Sequence, residues 1–366
     1  MRRTRHLAPV ALRDGPPPTI TVRSHLTGAA EELSLADLGE LSSVSARSWT
    51  WRVDELARSL AVRGLLVSDE HGEPFERLRR RDTDLSALGW HPAAAAFHLE
   101  TWWDGTRLGV PSRDGSARKR GPRVGPPQPP FYERGGERIE LASGERRGDL
   151  SRLLRARRTT RSFGVARPVT SEELATILRA VWGVDGTAQL ARGDTALRRS
   201  SPSGGGLHAI EVYPIVRRVE GVPPGVYHYR VRDHQLERLA SLDADASGRL
   251  IENGTAGQWY FGDADVGFVL TARFARSYWK YRRHAKIFRA LLVEAGHFSQ
   301  TFYLACTDLG LGPFVTAALD DGELARALEL DPLFEAPLAL CGCGRLPQEQ
   351  SRLDPVFRPL DPGLPD

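Results

Sequence analysis

Apolar residues recur at intervals of three and four in two segments of the C-terminal half of the chain. This is the spacing of an amphipathic helix. The first segment, 174–181, follows a T-x-x-E capping box that begins at Thr170, and it ends before Gly183. The second segment, 288–309, predicts a long helix that closes at the residues following it.

Four other segments of this half are rich in β-branched and aromatic residues and are bounded by Gly or Pro, so they predict strands. They are residues 210–219, 225–231, 265–274 and 336–346. Because strands and helices do not alternate strictly, the pattern favours an α+β fold over a doubly wound parallel sheet.

The N-terminal region has a different outline. Leucines at residues 33–41 and apolar positions at 53–61 predict two short helices, and residues 65–78 predict two short strands around a turn at 70–74. Two helices and a hairpin are the outline of a winged helix. Its wing would carry Asp69, Glu70 and two further acids, which would repel phosphates, so we expect peptide binding or a structural role and not DNA binding.

Residues 104–148 are rich in Gly, Pro and Arg, which is typical of a linker. The sequence therefore predicts a winged-helix-like domain at 1–103, a linker at 104–148 and one larger domain at 149–366.

The net charge of +4 is small, and no stretch combines dense basic residues with aromatic ones, so nucleic acid is not an expected partner. No apolar run is long enough for a membrane span, and the N-terminus does not resemble a signal peptide. The three cysteines form no CxxC pair. We therefore expect a cytoplasmic protein with no role at a membrane.

Three polar segments are candidates for chemistry, and each has a plain structural alternative. Residues 155–163 place four arginines around two threonines, which suits a phosphate or an arginine-rich surface. Residues 202–206 place three glycines before a strand, which suits close approach to a flat ligand or an ordinary loop. Lys280 and Tyr281 suit proton transfer, or are a surface lysine and a packed tyrosine. Only three of the 50 basic residues are lysines, and arginine cannot lose its proton in a protein.

Two further groups suggest metal ligands only superficially. Glu294 and His297 have the E-x-x-H spacing of di-iron proteins, but the second copy and the further carboxylates are missing. Cys341 and Cys343 lack clustered partners. We expect no metal site, and we interpret Glu294 and His297 as structural or cofactor-adjacent polar groups.

Four segments taken in order resemble the SagB-type branch of the nitroreductase superfamily, close to peptide maturation dehydrogenases. They are RRTTRSF, PSGGGLHAIEVY, GVYHYRVRDHQLERL and WKYRRHAKIFRALLVEAGHFSQTFYLACTDLGLGPF, and the resemblance covers about residues 149–346. It implies an α+β nitroreductase-like fold with an antiparallel-rich sheet flanked by helices, an FMN cofactor, and a homodimer with FMN at the subunit interface.

The resemblance also implies roles for individual residues. The FMN phosphate and ribityl chain would be held by Arg157, Arg158, Thr159 and Arg161, with Arg345 as a further phosphate candidate. The isoalloxazine would lie along Pro202, Ser203, Gly204 and Gly205, and the flavin would also be lined by Gly310, Leu311 and Gly312. The catalytic pair would be Lys280 and Tyr281.

In members that oxidise azolines to azoles, a base removes the Cα proton and flavin N5 accepts a hydride from Cβ. Lysine suits that base if burial or nearby arginines lower its pKa, and Arg276, Arg282 and Arg283 are close in sequence.

Three functions stay open at this point. The first is an FMN-dependent dehydrogenase that matures a ribosomally made peptide, with that peptide and other maturation enzymes as partners. The second is an NAD(P)H-dependent reductase of a dehydroamino acid, nitro or quinone substrate. The third is a non-catalytic flavin- or peptide-binding partner in a maturation complex.

Overall fold

The computed structural model describes residues 1–3, 7–13, 19–46, 48–51, 54–110, 139, 141, 148–190, 195–282, 284–349 and 351–356. The helices in these residues are α1 (Leu35–Ser43), α2 (Glu55–Val62), α3 (Phe75–Leu88), α4 (Pro92–Glu100), α5 (Gly148–Ala156), α6 (Ser171–Trp182), α7 (Ala244–Gly254), α8 (Phe274–Tyr278), α9 (Lys286–Asp308) and α10 (Asp321–Ala327). The strands are β1 (Arg2–Arg3), β2 (Leu7–Arg13), β3 (Thr19–Ser24), β4 (Ala30–Leu33), β5 (Leu66–Val67), β6 (Gly186–Gln189), β7 (Thr195–Arg198), β8 (Ile210–Val216), β9 (Gly225–Arg230), β10 (Gln235–Ser241), β11 (Val266–Arg273), β12 (Leu311–Thr316) and β13 (Glu335–Arg345).

A six-stranded antiparallel sheet forms the centre, in the order β10–β9–β8–β11–β13–β12. Along β11, Phe268 and Leu270 pack on the side of α6 and α9, while Val269 packs on the side of α7 and α10. The alternation of side chains along a strand thus gives both faces an apolar cover. The expected α+β class, with helices flanking an antiparallel sheet, is confirmed.

The strongest local patterns were predicted close to their observed bounds. The capping box at Thr170 and Glu173 begins α6, whose C-cap is Gly183. The long helix and the four predicted strands are α9, β8, β9, β11 and β13.

The predicted hairpin at residues 65–78 is wrong in its second half. Residues 66–67 form β5, which pairs with β1, but the chain then enters α3. Phe75, Leu78, Leu85 and Leu88 are buried on one face of α3, so the apolar period is helical. The wing of the predicted winged helix therefore does not form at this position. The two preceding helices were predicted correctly and are α1 and α2.

Helices α3 and α4, and the turn between them, pack against α8, the start of α9 and residues 331–333 before β13. Trp90 donates its indole N–H to the carbonyl of Leu333 at 2.9 Å and lies against Phe274 and Tyr278. His98 bonds the carbonyl of Pro332 at 2.7 Å, and Arg81 forms an ion pair with Asp331. A separate small core surrounds α1 and α2. The division of the chain at residues 103 and 148 stays a prediction.

All three cysteines lie in the core between the sheet and α9. Cys306 is on α9, and Cys341 and Cys343 are on β13; each is fully buried and free of disulfides. Burial raises the pKa of the Cys306 and Cys341 thiols. Helix α9 is the longest described helix at 23 residues, but neither it nor another described helix is long and apolar enough to cross a membrane.

Candidate active site

A tight loop of residues 203–208, the glycine loop, connects β7 to β8. Gly205 and Gly206 have φ of 68° and 70°, and His208 has φ of 48°. A Cβ atom at Gly205 would lie 2.6 Å from the hydroxyl oxygen of Tyr281 and 2.9 Å from Nζ of Lys280. Position 205 therefore favours glycine for its backbone conformation, and a side chain there would displace the ends of the Tyr281 and Lys280 side chains.

Lys280 and Tyr281 follow α8 and lie over the glycine loop. Lys280 Nζ is 3.4 Å from the carbonyl oxygen of Gly205 and 5.7 Å from the centre of the Tyr281 ring. The structure thus brings the two predicted catalytic residues together with Gly205. The Lys280 side chain is exposed, so the chain itself does not supply the burial that the sequence reasoning invoked.

The arginines that were expected to act on Lys280 have other contacts. Arg276 donates to the carbonyl oxygens of Leu207 and Thr195 at 3.0 and 3.2 Å, and so ties the glycine loop to β7. Arg282 donates to the carbonyl oxygen of Ala87 at the end of α3. Arg283 lies outside the described residues.

Two polar groups of α9, the buried Glu294 and the exposed His297, contact the glycine loop and the residue before it. The Ser203 hydroxyl donates to Glu294 Oε2 at 2.7 Å, and its oxygen accepts the backbone N–H of His208 at 2.9 Å. His297 Nδ1 lies 3.2 Å from the carbonyl oxygen of Pro202. These contacts fit the interpretation of Glu294 and His297 as polar groups of the site. No group of three or more metal-ligating side chains occurs within the described residues.

Burial changes the pKa values beneath the loop. It raises the pKa of Glu294, against the opposing effects of Ser203 and Arg199. It also lowers the pKa of His208 to about 4, with a further contribution from Arg199. His208 is therefore neutral at pH 7, and its Nε2 contacts the carbonyl oxygen of Leu197 at 2.9 Å.

The arginine segment lies near the other end of α9. Thr159 Oγ1 is 2.8 Å from the hydroxyl of Tyr303 on α9, and the guanidinium of Arg157 lies 5.1 Å from the centre of the same ring. A cavity of about 670 Å³ opens here. It is lined by Leu154, Arg155, Ala156, Arg157, Arg158, Thr159, Arg161, Asp354, Pro355 and Val356. The backbone N–H of Arg161 donates to Asp354 at 2.9 Å, so one carboxylate shares this cationic cavity.

The remaining predicted residues lie at the edge of the sheet beside this segment. A Cβ atom at Gly312 would lie 2.7 Å from Cγ2 of Thr160, and the backbone N–H of Thr160 donates to the carbonyl of Pro313. Leu311 is buried in β12, and Gly310 lines a second cavity of about 680 Å³ together with Arg345. The guanidinium of Arg345 makes a bidentate ion pair with Glu173 and also donates to the carbonyl of Pro168. Arg345 therefore lines a different cavity from Arg157, Arg158 and Arg161.

Helix α9 connects the two groups of predicted residues. Glu294 contacts the glycine loop and Tyr303 contacts Thr159, and these positions are nine residues or about 14 Å apart along the axis. Sequence reasoning missed Tyr303, as well as Arg199 beneath the loop. The sequence did contain a signal for Arg199. Glu294 lies on the apolar face of α9, between Leu291 and Phe298, and a buried carboxylate indicates a positive charge nearby.

The donor set fits a flavin mononucleotide. Four arginines and a threonine line one cavity and match the charge and hydrogen-bonding needs of a phosphate. Gly204, Gly205 and Gly206 have no side chains, so the backbone of the glycine loop is directly accessible from the side on which Lys280 lies. The residues that would hold FMN are therefore the arginine segment for the phosphate and the loop for the flat ring.

Comparison with known proteins supports the resemblance to nitroreductases independently. The model of the nitroreductase family matches residues 154–345, more than half of the chain. A Methanocaldococcus jannaschii protein named as a nitroreductase, MJ1384, is 32% identical over 196 residues, which cover 54% of this chain and 90% of that protein.

Two other relatives are named as toxin-processing proteins. The trifolitoxin-processing protein TfxB of Rhizobium leguminosarum is 35% identical over 150 residues, covering 39% of this chain and 38% of TfxB. The microcin B17-processing protein McbC of Escherichia coli is 30% identical over 147 residues, covering 39% of this chain and 53% of McbC. The matches thus span about half or less of these two relatives.

One solved structure shares the fold at a TM-score of 0.51. It is a chain of the E. coli microcin synthetase McbBCD complex with truncated pro-MccB17 bound, 20% identical over 72% of this chain and 97% of that chain.

Proposed function

Since the chain belongs to the nitroreductase family, we propose that it is an FMN-dependent oxidoreductase that dehydrogenates a ribosomally made peptide, as in the conversion of an azoline to an azole. The placement of Lys280 and Tyr281 over Gly205 carries the proposal. The names of TfxB and McbC support a role in peptide maturation.

In this proposal the chain supplies position and proton transfer. FMN, held by the arginine segment and the glycine loop, would supply the acceptor for the two electrons that leave the substrate as a hydride. The Lys280 amine takes the proton released from the substrate Cα, while the Tyr281 hydroxyl beside it can hydrogen-bond the reacting ring. The glycine loop leaves its backbone accessible to the flat ring of the flavin. Because Lys280 is exposed in one chain, the substrate or a second subunit has to exclude water from it.

A homodimer is part of the proposal, and an exposed apolar surface supports it. We define the α5–α9 surface as Leu150, Leu154, Leu292 and Val293, which are between 40% and 62% exposed. Helix α5 lies along α9, and none of its side chains is buried. Exposed apolar side chains on two neighbouring helices are typical of an interaction site.

We also propose that the N-terminal region binds part of the peptide, and that other maturation enzymes are partners. A cavity of about 510 Å³ in this region supports peptide binding. It is lined by aromatic and charged residues that include Trp49, Trp51, Arg58 and Asp69. Amphipathic aromatic side chains are the type enriched at peptide and protein interfaces.

A Lys280→Arg variant tests the role of the amine. Arginine keeps the positive charge but does not lose a proton, so we expect unchanged FMN binding and at least a 100-fold lower rate of dehydrogenation. FMN content by absorbance and single-turnover flavin reduction by an azoline peptide measure the two effects. Turnover equal to the parent would remove Lys280 from the mechanism.

The alternative is an NAD(P)H-dependent reductase of a dehydroamino acid, nitro or quinone substrate, which the general character of the family favours. Anaerobic stopped-flow mixing with NADPH separates the two. Slow or absent flavin bleaching is expected for a peptide dehydrogenase, whereas rapid bleaching would favour the reductase. A protein that binds no FMN and turns over no peptide would indicate a non-catalytic partner.

A further inference from the structure

A polar chamber lies beneath the glycine loop, formed by the buried Glu294 and His208 and the half-buried Ser203 and Arg199. Glu294 is only 3% exposed and projects from the apolar face of α9 beside Leu291 and Phe298. Glu294 Oε1, Arg199 Nε and Nη1, and His208 Nδ1 have no hydrogen-bond partner among the described residues. A carboxylate is costly in such a place unless its charge and its hydrogen bonds are compensated.

Arg199 acts on the carboxylate through its charge, although no ion pair joins the two among the described contacts. Burial lowers the pKa of the Arg199 guanidinium, while the carboxylates of Glu211 and Glu294 oppose that change and Arg273 adds to it. Ser203 donates a hydrogen bond to Glu294 Oε2 at 2.7 Å, and the backbone N–H groups of Ala209 and Ile210 also stabilise the carboxylate. An apolar side chain at position 294 would avoid the free-energy cost of burying a carboxylate. We therefore look for the role of Glu294 in the hydrogen bond that it accepts from Ser203.

The contact matters because the loop above it has an unfavourable backbone conformation. His208 is not glycine, yet its φ is 48°, a conformation that costs of order 1 kcal/mol and persists only where surrounding contacts impose it. The Ser203 hydroxyl joins both ends of the loop, since it belongs to residue 203 and accepts the N–H of residue 208. Glu294 accepts the hydroxyl hydrogen, which leaves the Ser203 lone pairs for that N–H.

We propose that Glu294 is a positioning residue that acts through the Ser203 hydroxyl, fixing the glycine loop against which Lys280 and Tyr281 close, with Arg199 as its counter-charge. The catalytic consequence rests on the proposed function, but the positioning of Gly205 under Lys280 does not.

Amine labelling of the protein without added FMN tests the positioning directly. The chain has three lysines, so labels from a brief pulse of acetic anhydride can be assigned to Lys280 and Lys286 by peptide mass spectrometry. Release of the loop frees the Lys280 amine from the Gly205 carbonyl. We expect Ser203→Ala and Glu294→Gln each to speed labelling of Lys280 by about two- to tenfold, with exposed Lys286 unchanged.

A double variant distinguishes action through Ser203 from two separate structural effects. If Glu294 acts through the hydroxyl, Ser203→Ala/Glu294→Gln labels at the rate of the single variants. Multiplied effects, or an unchanged Lys280 rate in both singles, would overturn the proposal. Should Glu294→Gln fail to fold, Ser203→Ala decides the question alone, because it leaves Glu294 and Arg199 in place.

Ser201→Ala is the matched control. The buried Ser201 hydroxyl also bonds α9, at 2.7 Å from Thr301 Oγ1, but it makes no contact with the loop ends. We expect the Lys280 labelling rate of this variant to equal that of the parent. Because labelling needs neither FMN nor turnover, failure of the proposed function would leave this result readable. In FMN-loaded protein the same variants should lower kcat more than they change KM and alter the visible circular dichroism of the flavin, which loss of stability alone would not do.

Discussion

Arg345 has nearly all of its donors occupied within the chain, which determines the effect of replacing it. Burial disfavours ionisation of Glu173, but hydrogen bonds from Arg345 outweigh this and hold the Glu173 pKa below its usual value. The pair also ties the end of β13 to the capping box that begins α6. At the residue scale Arg345 is therefore a structural clamp as well as a phosphate candidate.

Arg345→Met should lower the free energy of unfolding by about 3 kcal/mol, because it leaves a partly buried carboxylate unpaired. We expect FMN affinity to change less than about threefold. Urea unfolding and flavin fluorescence titration measure the two quantities, and Arg345→Met/Glu173→Gln should recover part of the stability. Unchanged stability with a large loss of FMN affinity would instead assign Arg345 to the phosphate.

His98 predicts a dependence of stability on pH. Burial lowers its pKa to about 4 in the folded protein, against an ordinary value of 6.5, although the Pro332 carbonyl opposes the shift. Between these values the unfolded chain binds the proton and the folded protein does not, so stability falls as the pH drops from 6.5 to 4. The shift in the pKa of His98 lowers the free energy of unfolding by about 3 kcal/mol between pH 6.5 and pH 4.

Thermal unfolding followed between pH 7.5 and 4 checks this dependence. His98→Gln keeps an N–H donor for the Pro332 carbonyl but cannot titrate, so its profile should be flatter than that of the parent over the same window. Identical slopes for the two proteins would assign the pH dependence to other groups, His208 among them.

At the scale of elements, α3 and α4 brace the segment that carries Lys280 and Tyr281. Trp90→Leu removes the bond to the Leu333 carbonyl and the ring contacts with Phe274 and Tyr278. We expect a loss of about 3 kcal/mol and faster hydrogen exchange at residues 274–288. Trp51→Leu, at a side chain that is 87% exposed, should change neither. The same loss of stability without faster exchange at residues 274–288 would contradict the bracing role.

The elements also show where sequence reasoning succeeds. Helix α6 has a capping box, one apolar face and a terminal glycine, so local signals agree and its bounds were predicted almost to the residue. The start of α3 resembles a strand in sequence, because Gly72 and Pro74 indicate a turn and the few apolar residues directly after them do not define a helical period. Its four-turn periodicity becomes evident at Leu85 and Leu88.

Site geometry was less accessible, because contacts between distant segments leave no local period. The Lys280–Gly205 contact joins residues 75 positions apart, and the Ser203–Glu294 bond joins residues 91 apart. The resemblance of four segments supplied Lys280, Gly205 and Ser203 as candidates, and the E-x-x-H spacing drew attention to Glu294. The exposure of the lysine could not be predicted from the arginines beside it.

At the scale of the whole molecule, the α5–α9 surface predicts association of two chains. Leu150→Glu/Val293→Glu places two charges on that surface and should yield a monomer by sedimentation velocity, with weaker FMN binding. Leu239→Glu is the control, because Leu239 is 47% exposed on the edge strand β10 and lies outside the surface. A double variant that remains dimeric would place the interface elsewhere.

The three buried cysteines give the protein an internal reporter of its own opening. Every thiol of the chain lies between the sheet and α9, so an alkylating reagent can reach it only when that core separates. The rate at which the native protein's thiols are modified therefore reports the opening of the core between the sheet and α9. A cysteine introduced on the surface would, for the same reason, be the single thiol available to a spectroscopic probe in the folded state.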